Sequence, residues 1–345
     1  MAATLLARRY PVRDEAEGIE LCFEKGWTDG LPVVPPTPTR VQATLGAAGL
    51  DPRHEVARVA HRAVSITAEK VAINAVMAGC RPEYMPVVVA AIEGIADPRW
   101  NYHGPGTSTA GAAVLLIVNG PLARELDINS GGDLFGPGWR ANLTIGRAVR
   151  LVMRNVCGSR PGTLDRSTLG HPGRFSYVIA ENEVDSPWPA LHVERGFRPE
   201  QSAVTVMAAE GPHQFYNQLS NTAEGILATL CDDMRISGNV VGQPQYAIVL
   251  AGEHMRTIAG DGWDKARIRE FVFEHTQNSV AHLKRTQRLA GPVEPADETR
   301  RRPLVESPDD ILVVAAGGRA GAFSAYIPGW SGKRSTQAVT KEIRR

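Results

Sequence analysis

The chain reads as an α/β protein: a layered, mostly parallel sheet with helices on both faces, and a possible internal α/β duplication. Two observations carry that expectation. Three short, continuous apolar runs, 113–118, 246–250 and 311–316, each stop at a glycine-containing turn, as fully buried strands do. Between them lie stretches with apolar residues at helical spacing, and alternating strands and helices are what parallel sheets require.

In chain order, residues 26–37 use two glycines, Trp27, Asp29 and three prolines. Proline fixes φ and biases the residue before it toward extended backbone, so this segment is a rigid loop, either a site or an arm laid across a surface. Thr67 can cap a helix that carries Ile73, Val76, Met77 and Cys80 on one side, with Glu69 in the first turn where the dipole favours an acid. A second helix starts near Pro82 and presents Met85, Val88, Val89, Ile92 and Ile95. The strand 113–118 then ends in Asn119-Gly120-Pro121, and the strand 246–250 ends in Ala251-Gly252-Glu253-His254. Each is preceded by an apolar helix and followed by a glycine-rich turn, a tryptophan (Trp139 or Trp263) and a long helix (142–155 or 265–279), which is the basis for the duplication. The strand 311–316 leads into Gly317-Gly318 and an expected final helix near 335–343. Residues 290–307, with three prolines and Arg300, Arg301 and Arg302, read as a surface linker. The expected division is an α/β unit over 1–195 with the proline-rich arm, and a second α/β unit over 196–345.

Composition narrows the function classes. Of 345 residues, 43% are hydrophobic and 22% charged, the balance of a soluble globular protein. A net charge of +1 argues against a nucleic-acid partner, which would call for an excess of cations. The longest apolar stretches, 85–96 and 110–118, are too short to span a bilayer, and the first ten residues lack the apolar core of a secretory signal, so a cytoplasmic protein is expected. Cys22, Cys80, Cys157 and Cys231 form no C-x-x-C pair and no zinc-ribbon spacing, which predicts reduced thiols.

Ligands of open α/β sheets bind beyond the carboxyl ends of strands. The glycine-rich segments after Val118, Leu250 and Ala316 are therefore expected to gather at one rim. There Gly317, Gly318, Gly321 and Ser324 offer backbone N–H groups and a hydroxyl for an oxyanion or carboxylate, with Lys333 as a further anion partner. The alternative is a turn packed tightly against the sheet. Glu253 and His254 are the best acid/base pair, against the plainer reading of a histidine near a helix end. His103 and His213 are the other loop histidines; if they converged with His254 and Glu253 they could hold a divalent metal, zinc or iron. Arg140 is the arginine expected to bind a carboxylate, beside Asn142 at the head of a helix whose Arg147, Arg150 and Arg154 make a basic stripe. Asp165-Arg166 and Glu181-Asn182-Glu183 are secondary candidates. Cys80 is either a reactive thiol beside Arg81 or a buried structural one.

Several segments resemble an uncharacterised bacterial family whose genes tend to lie beside a small selenocysteine- or cysteine-containing protein with a U/C-G-S-C motif. They are 26–37 (GWTDGLPVVPPT), 72–84 (AINAVMAGCRPEY), 118–121 (VNGP), 135–142 (FGPGWRAN) and 317–324 (GGRAGAFS). The resemblance spans nearly the whole chain, and the Cys-Gly-Ser-Cys motif itself is absent. It implies a thiol or redox neighbourhood and a small Cys-Gly-Ser-Cys partner protein, and it favours a site at the Gly-Gly loop with Ser324, Trp330, Lys333 and Thr340. The leading expectation is an enzyme, or an enzyme subunit, that acts on a small anionic substrate in a glycine-rich interdomain cleft closed by Trp27 and Asp29, in a homo- or hetero-oligomer. The alternatives are a non-catalytic partner-binding subunit and a metal-dependent lyase or hydrolase.

Overall fold

A computed structural model describes residues 4–236 and 242–345. Among the described residues, five helices of nine residues or more serve the N-terminal half: α1 (Glu15–Glu24), α2 (Pro38–Ala47), α3 (Ala68–Ala78), α4 (Met85–Ala96) and α5 (Arg140–Asn155). Three more of that length serve the C-terminal half: α6 (Ala223–Ile236), α7 (Gly252–Gly260) and α8 (Lys265–His275). Local sequence accounts for several of their ends. Pro38 occupies the first turn of α2 behind an N-cap from Thr37, and Gly79 closes α3 in the left-handed conformation. Thr67 stands at the N-cap of α3 without donating or accepting a capping bond through its side chain.

Eight strands form one sheet: β1 (Ala113–Asn119), β2 (Val178–Ala180), β3 (Ala203–Ala209), β4 (His213–Tyr216), β5 (Pro244–Leu250), β6 (Ile311–Ala315), β7 (Phe323–Gly332) and β8 (Val339–Glu342). The order is β6-β5-β7-β3-β1-β2, with β8 against β3 and β4 against β7. The α/β class therefore holds. The sheet is mixed, though, rather than mostly parallel: β1 with β2 and β5 with β6 are parallel, and the other pairings are antiparallel.

That order carries an internal repeat. The sequence β1, β2, β3 has its counterpart in β5, β6, β7, and the two triplets meet back to back where β3 pairs β7 at Ala209 and Gly329. Each triplet then lends its next strand to the other, since β4 follows β3 but pairs β7, and β8 follows β7 but pairs β3. The sheet consequently runs across residue 195, with β3 on one side of that position pairing β1 on the other.

Register explains how the sheet is covered. Val114, Leu116 and Val118 lie opposite Ala208, Val206 and Val204, and that face packs with α1 to α5 in one core. Tyr246, Ile248, Val313 and Tyr326 pack with α6 to α8 in a second core. Strand pairing places both helical layers on the same face, which corrects the expectation of helices on both faces. The other face packs largely on itself, through Leu115, Ile117, Met207, Val249, Val314 and Ile327. It can do so because the sheet curls until its edges touch: Asn182 N–H donates to Ala315 O at 2.7 Å.

Two local expectations are also corrected. The segment 335–343 contains β8 rather than a helix, with Val339 to Glu342 paired to Val206 to Ala203; helix-forming Lys and Glu yield there to the ladder. The stretch 290–307 is tied down rather than a loose linker, because Leu304 and Val305 are fully buried and buried Asp297 accepts from Lys284 at 2.6 Å. Among the described residues, no helix is long and apolar enough to cross a membrane.

Candidate functional site

The rigid loop 26–37 forms part of the wall of a cleft. It lies between α1, α3 and the C-terminal turn of α5, and α5 pins it. Arg147 makes two 2.8 Å bonds to the Asp29 carboxylate and donates to the carbonyls of Leu31 (3.2 Å) and Pro32 (2.9 Å). Arg154 donates to Gly26 O at 3.3 Å and Asn155 to Trp27 O at 2.8 Å. Burial alone would raise the Asp29 carboxyl, but the hydrogen bonds and charge of Arg147 outweigh it and hold the group below the usual carboxylate range. Arg147 and Arg154 of the basic stripe thus bind this chain's own loop, while Arg150 pairs with Asp165 at 3.6 Å.

An N-terminal strap, residues 5–12, closes over the same region. Buried Glu69 fixes it, accepting the N–H groups of Leu6 and Ala7 at 2.9 Å each. Tyr10 sets its ring edge-on to Trp27 at 5.4 Å. Gly18 lets α1 come close to the loop, since a Cβ there would sit 3.1 Å from Pro35 Cγ. Between strap, loop and α3 opens a cleft of about 760 Å³. Its apolar walls include Leu5, Val12, Leu21, Trp27, Ile73 and Met77. The charged residues lining it are Arg8, Arg9, Glu69 and Lys70. Glu69 is engaged by the strap, and the three cations are exposed. Cys22 also lines the cleft, with its thiol pKa raised by burial.

The glycine-rich strand ends do meet. Gly317 N–H donates to Ser130 O at 2.9 Å, and Gly252 N–H to Gly318 O at 3.0 Å. Gly317 and Gly321 have φ values of +114° and +87°, open to glycine at little cost. Ser324 and His254 meet there as well. His254 Nε2 lies 3.2 Å from Asn217 O, an acceptor, so Nε2 carries the proton. Nδ1 then accepts the Ser324 hydroxyl at 2.8 Å, while Ser324 Oγ accepts Ala251 N–H at 3.1 Å. Phe215 stacks on the imidazole, with ring centroids 5.4 Å apart. Burial pushes the His254 pKa down, against the Asn217 carbonyl and the charge of adjacent Glu253, so the ring is neutral near pH 7. His254 is 1% and Ser324 5% exposed, and every polar atom of the pair is bonded inside the protein.

The remaining expected site residues lie apart from this pair. His213 stacks on Tyr326 with centroids 5.0 Å apart, and His103 faces His61 at 6.4 Å. Among the described residues no group of three or more His, Cys, Asp and Glu side chains could hold a metal, which removes the histidine-cluster reading. Arg140 caps α3 rather than meeting a carboxylate, donating through Nε and Nη2 to Gly79 O at 3.0 and 2.9 Å. Asn142 is buried and ties Asn129 N–H (2.8 Å) to Val178 O (2.9 Å). Lys333 pairs with Asp310 at 2.8 Å, which raises its pKa. Cys80 is a structural thiol: it donates to Thr144 O at 3.3 Å, and burial pushes its pKa up to about 12.

One buried group has a role that residue type alone did not reveal. Glu181 joins the ends of three strands, accepting Asn119 Nδ2 at 2.7 Å, Lys265 Nζ at 2.9 Å and Ala315 N–H at 3.4 Å. It also accepts Leu191 N–H at 2.6 Å, and the three partners that tie it to other elements lie 62 to 134 residues away in sequence.

In comparisons with known proteins, no family model and no curated sequence matches the chain.

Proposed function

We propose that the chain is a binding subunit for a small amphipathic anion, whose apolar body fills the cleft beneath the N-terminal strap and whose head group meets Arg8, Arg9 and Lys70. The observation that carries this is the lining: about 760 Å³ walled mainly by apolar side chains, with three exposed cations and a single acid already engaged. That size and composition suit a small-molecule site. Among the described residues lining the cleft, Cys22 has its thiol pKa raised by burial and Glu69 is bound to backbone, so neither is an activated nucleophile. This supports a subunit that holds or presents a ligand over one that transforms it alone. The small Cys-Gly-Ser-Cys protein implied by the resemblance would then supply the thiol chemistry that four buried cysteines do not.

Calorimetric titration with dodecanoate and with dodecyltrimethylammonium tests the reading, because the two share an apolar body and differ in head charge. Dodecanoate is expected to bind more tightly, and the double variant Arg8→Glu, Lys70→Glu to reverse the order. Absence of binding, or indifference to head charge, would contradict it.

A second reading keeps an enzyme, with His254 as general base to Ser324. The 2.8 Å bond between Ser324 Oγ and His254 Nδ1 favours it. It needs the β4 and β7 region to open, because both side chains are buried. Turnover of a small ester that disappears in Ser324→Ala, with folding intact, would establish this reading.

A further inference from the structure

The strap is hinged at one end and latched at the other. At the hinge, Arg13 N–H donates to the Glu17 carboxylate at 2.6 Å and Asp14 caps α1. At the latch, Glu69 of α3 accepts Leu6 and Ala7 N–H. Among the described residues, no main-chain group of 4–12 bonds to another main-chain group, so those two bonds are the backbone ties of the strap to α3, helped by the packing of Leu5 and the Tyr10 ring. A segment held by so few bonds opens at low cost.

The latch also sets cation against cation. Ala7 and Glu69 meet at 2.9 Å, and the next residue on each side, Arg8 on the strap and Lys70 on α3, is an exposed cation that lines the cleft, as Arg9 does. Against these three the lining has one acid, Glu69, which leaves an excess of two positive charges. The nearby acids Glu15 and Glu17 of α1 are paired with Arg40 and Arg13. Like charges on two sides of a cleft repel, and an anion between them turns that repulsion into attraction.

Resting on the reading of the cleft as an amphipathic-anion site, we propose that the ligand's head is a dianion of the phosphate-monoester class, which bridges Arg8 and Arg9 of the strap to Lys70 of α3 and so fastens the strap closed. A phosphate monoester carries close to two negative charges at neutral pH and three acceptor oxygens, enough to meet cations on both sides at once. A carboxylate, with one charge, leaves one of the two excess positive charges uncompensated. The ligand class is therefore an alkyl phosphate rather than a fatty acid, with its apolar body along Ile73 and Met77 and its dianion beside the latch.

The test compares dodecyl phosphate with dodecanoate, both below their micelle-forming concentrations, on wild type and on Lys70→Gln. Calorimetry reads affinity, and hydrogen exchange at Leu6 and Ala7 reads closure of the strap. Wild type is expected to bind dodecyl phosphate about tenfold more tightly, the effect of one more compensated charge at a partly screened site. At equal free ligand above both dissociation constants, exchange at Leu6 and Ala7 should slow about tenfold further with dodecyl phosphate than with dodecanoate. In Lys70→Gln, which replaces an exposed side chain, both ligands still bind, but the preference shrinks and the extra protection of the strap is lost. Equal or weaker binding of dodecyl phosphate by wild type overturns the dianion proposal and leaves the cleft reading standing. Tighter binding without slower exchange at Leu6 and Ala7 does the same, as does a preference undiminished in Lys70→Gln. Binding of neither ligand overturns both.

Discussion

At the strand tips a Cβ on Gly252 would lie 2.7 Å from Arg319 Cα, and one on Gly317 2.7 Å from the Cβ of Ala251. Loops there close on each other, and their polar groups are used up in doing so. Beneath the N-terminal strap, the proline-containing loop 26–37 meets the end of α3 through Val34 N–H, which donates to Met77 O at 3.1 Å, yet about 760 Å³ stays open beside it. Both regions use residues with restricted or unusual backbone, and both were expected to bind a ligand. They differ in what those residues do to space: glycine removes side-chain volume so that backbones can touch, whereas the proline loop, fixed by Arg147 and Asn155, serves as one wall of an open cleft. The first arrangement yields a structural hub and the second a cleft.

The sharpest way to break this contrast is at Glu181. Glu181→Ala leaves Lys265, which is 3% exposed, without its closest acid and removes the tie among three strand ends. A loss of about 3–5 kcal/mol is expected in urea unfolding, with dodecanoate binding retained under folding conditions. His254→Ala should cost less, about 1–3 kcal/mol, because it strands Ser324 and Asn217 without removing a charge partner. It should also leave the affinity for dodecanoate unchanged, which a ligand site at the hub would forbid. Glu69→Ala acts on the other region. A global loss of only about 1 kcal/mol is expected, with faster hydrogen exchange at Leu6 and Ala7 and faster dodecanoate association as the strap loosens.

The smallest effect concerns pH. The folded His254 pKa lies below its ordinary 6.5, so the unfolded chain takes up a proton that the native state refuses. The resulting stability is complete above about pH 6.5 and declines as pH falls through the depressed native value. His171 is depressed by burial too and shares the trend. His254→Gln should therefore show a shallower loss of stability between neutral and mildly acidic pH than wild type, measured by thermal unfolding at each pH.

Strands that are uniformly apolar could be read directly: 113–118, 246–250 and 311–316 fall on β1, β5 and β6. Strand β7 could not, because Pro328, Gly329 and Gly332 interrupt it and its place depends on β5, β4 and β3. The same dependence on distant partners turned 335–343 from an expected helix into β8. At the sites, composition identified the loop around Trp27 and Asp29, and it singled out both His254 and Ser324. It could not show that Arg147, 118 residues on, would bind Asp29, nor that His254 and Ser324, 70 apart, would satisfy one another. Nor could residue type show that the strap 5–12 would close the cleft, since those residues gain their role only from Glu69 and Trp27. Which candidates are left free to meet a ligand is decided by long-range pairing.

The most direct test of where this protein binds is a titration of dodecanoate into protein carrying 13C-labelled isoleucine and methionine methyl groups, followed by NMR. The account predicts that Ile73 and Met77, which line the cleft, shift with increasing ligand while Met255 and Ile258, buried beside the hub, stay in place. Shifts confined to Met255 and Ile258 would move the binding site to the glycine-rich strand ends and contradict it.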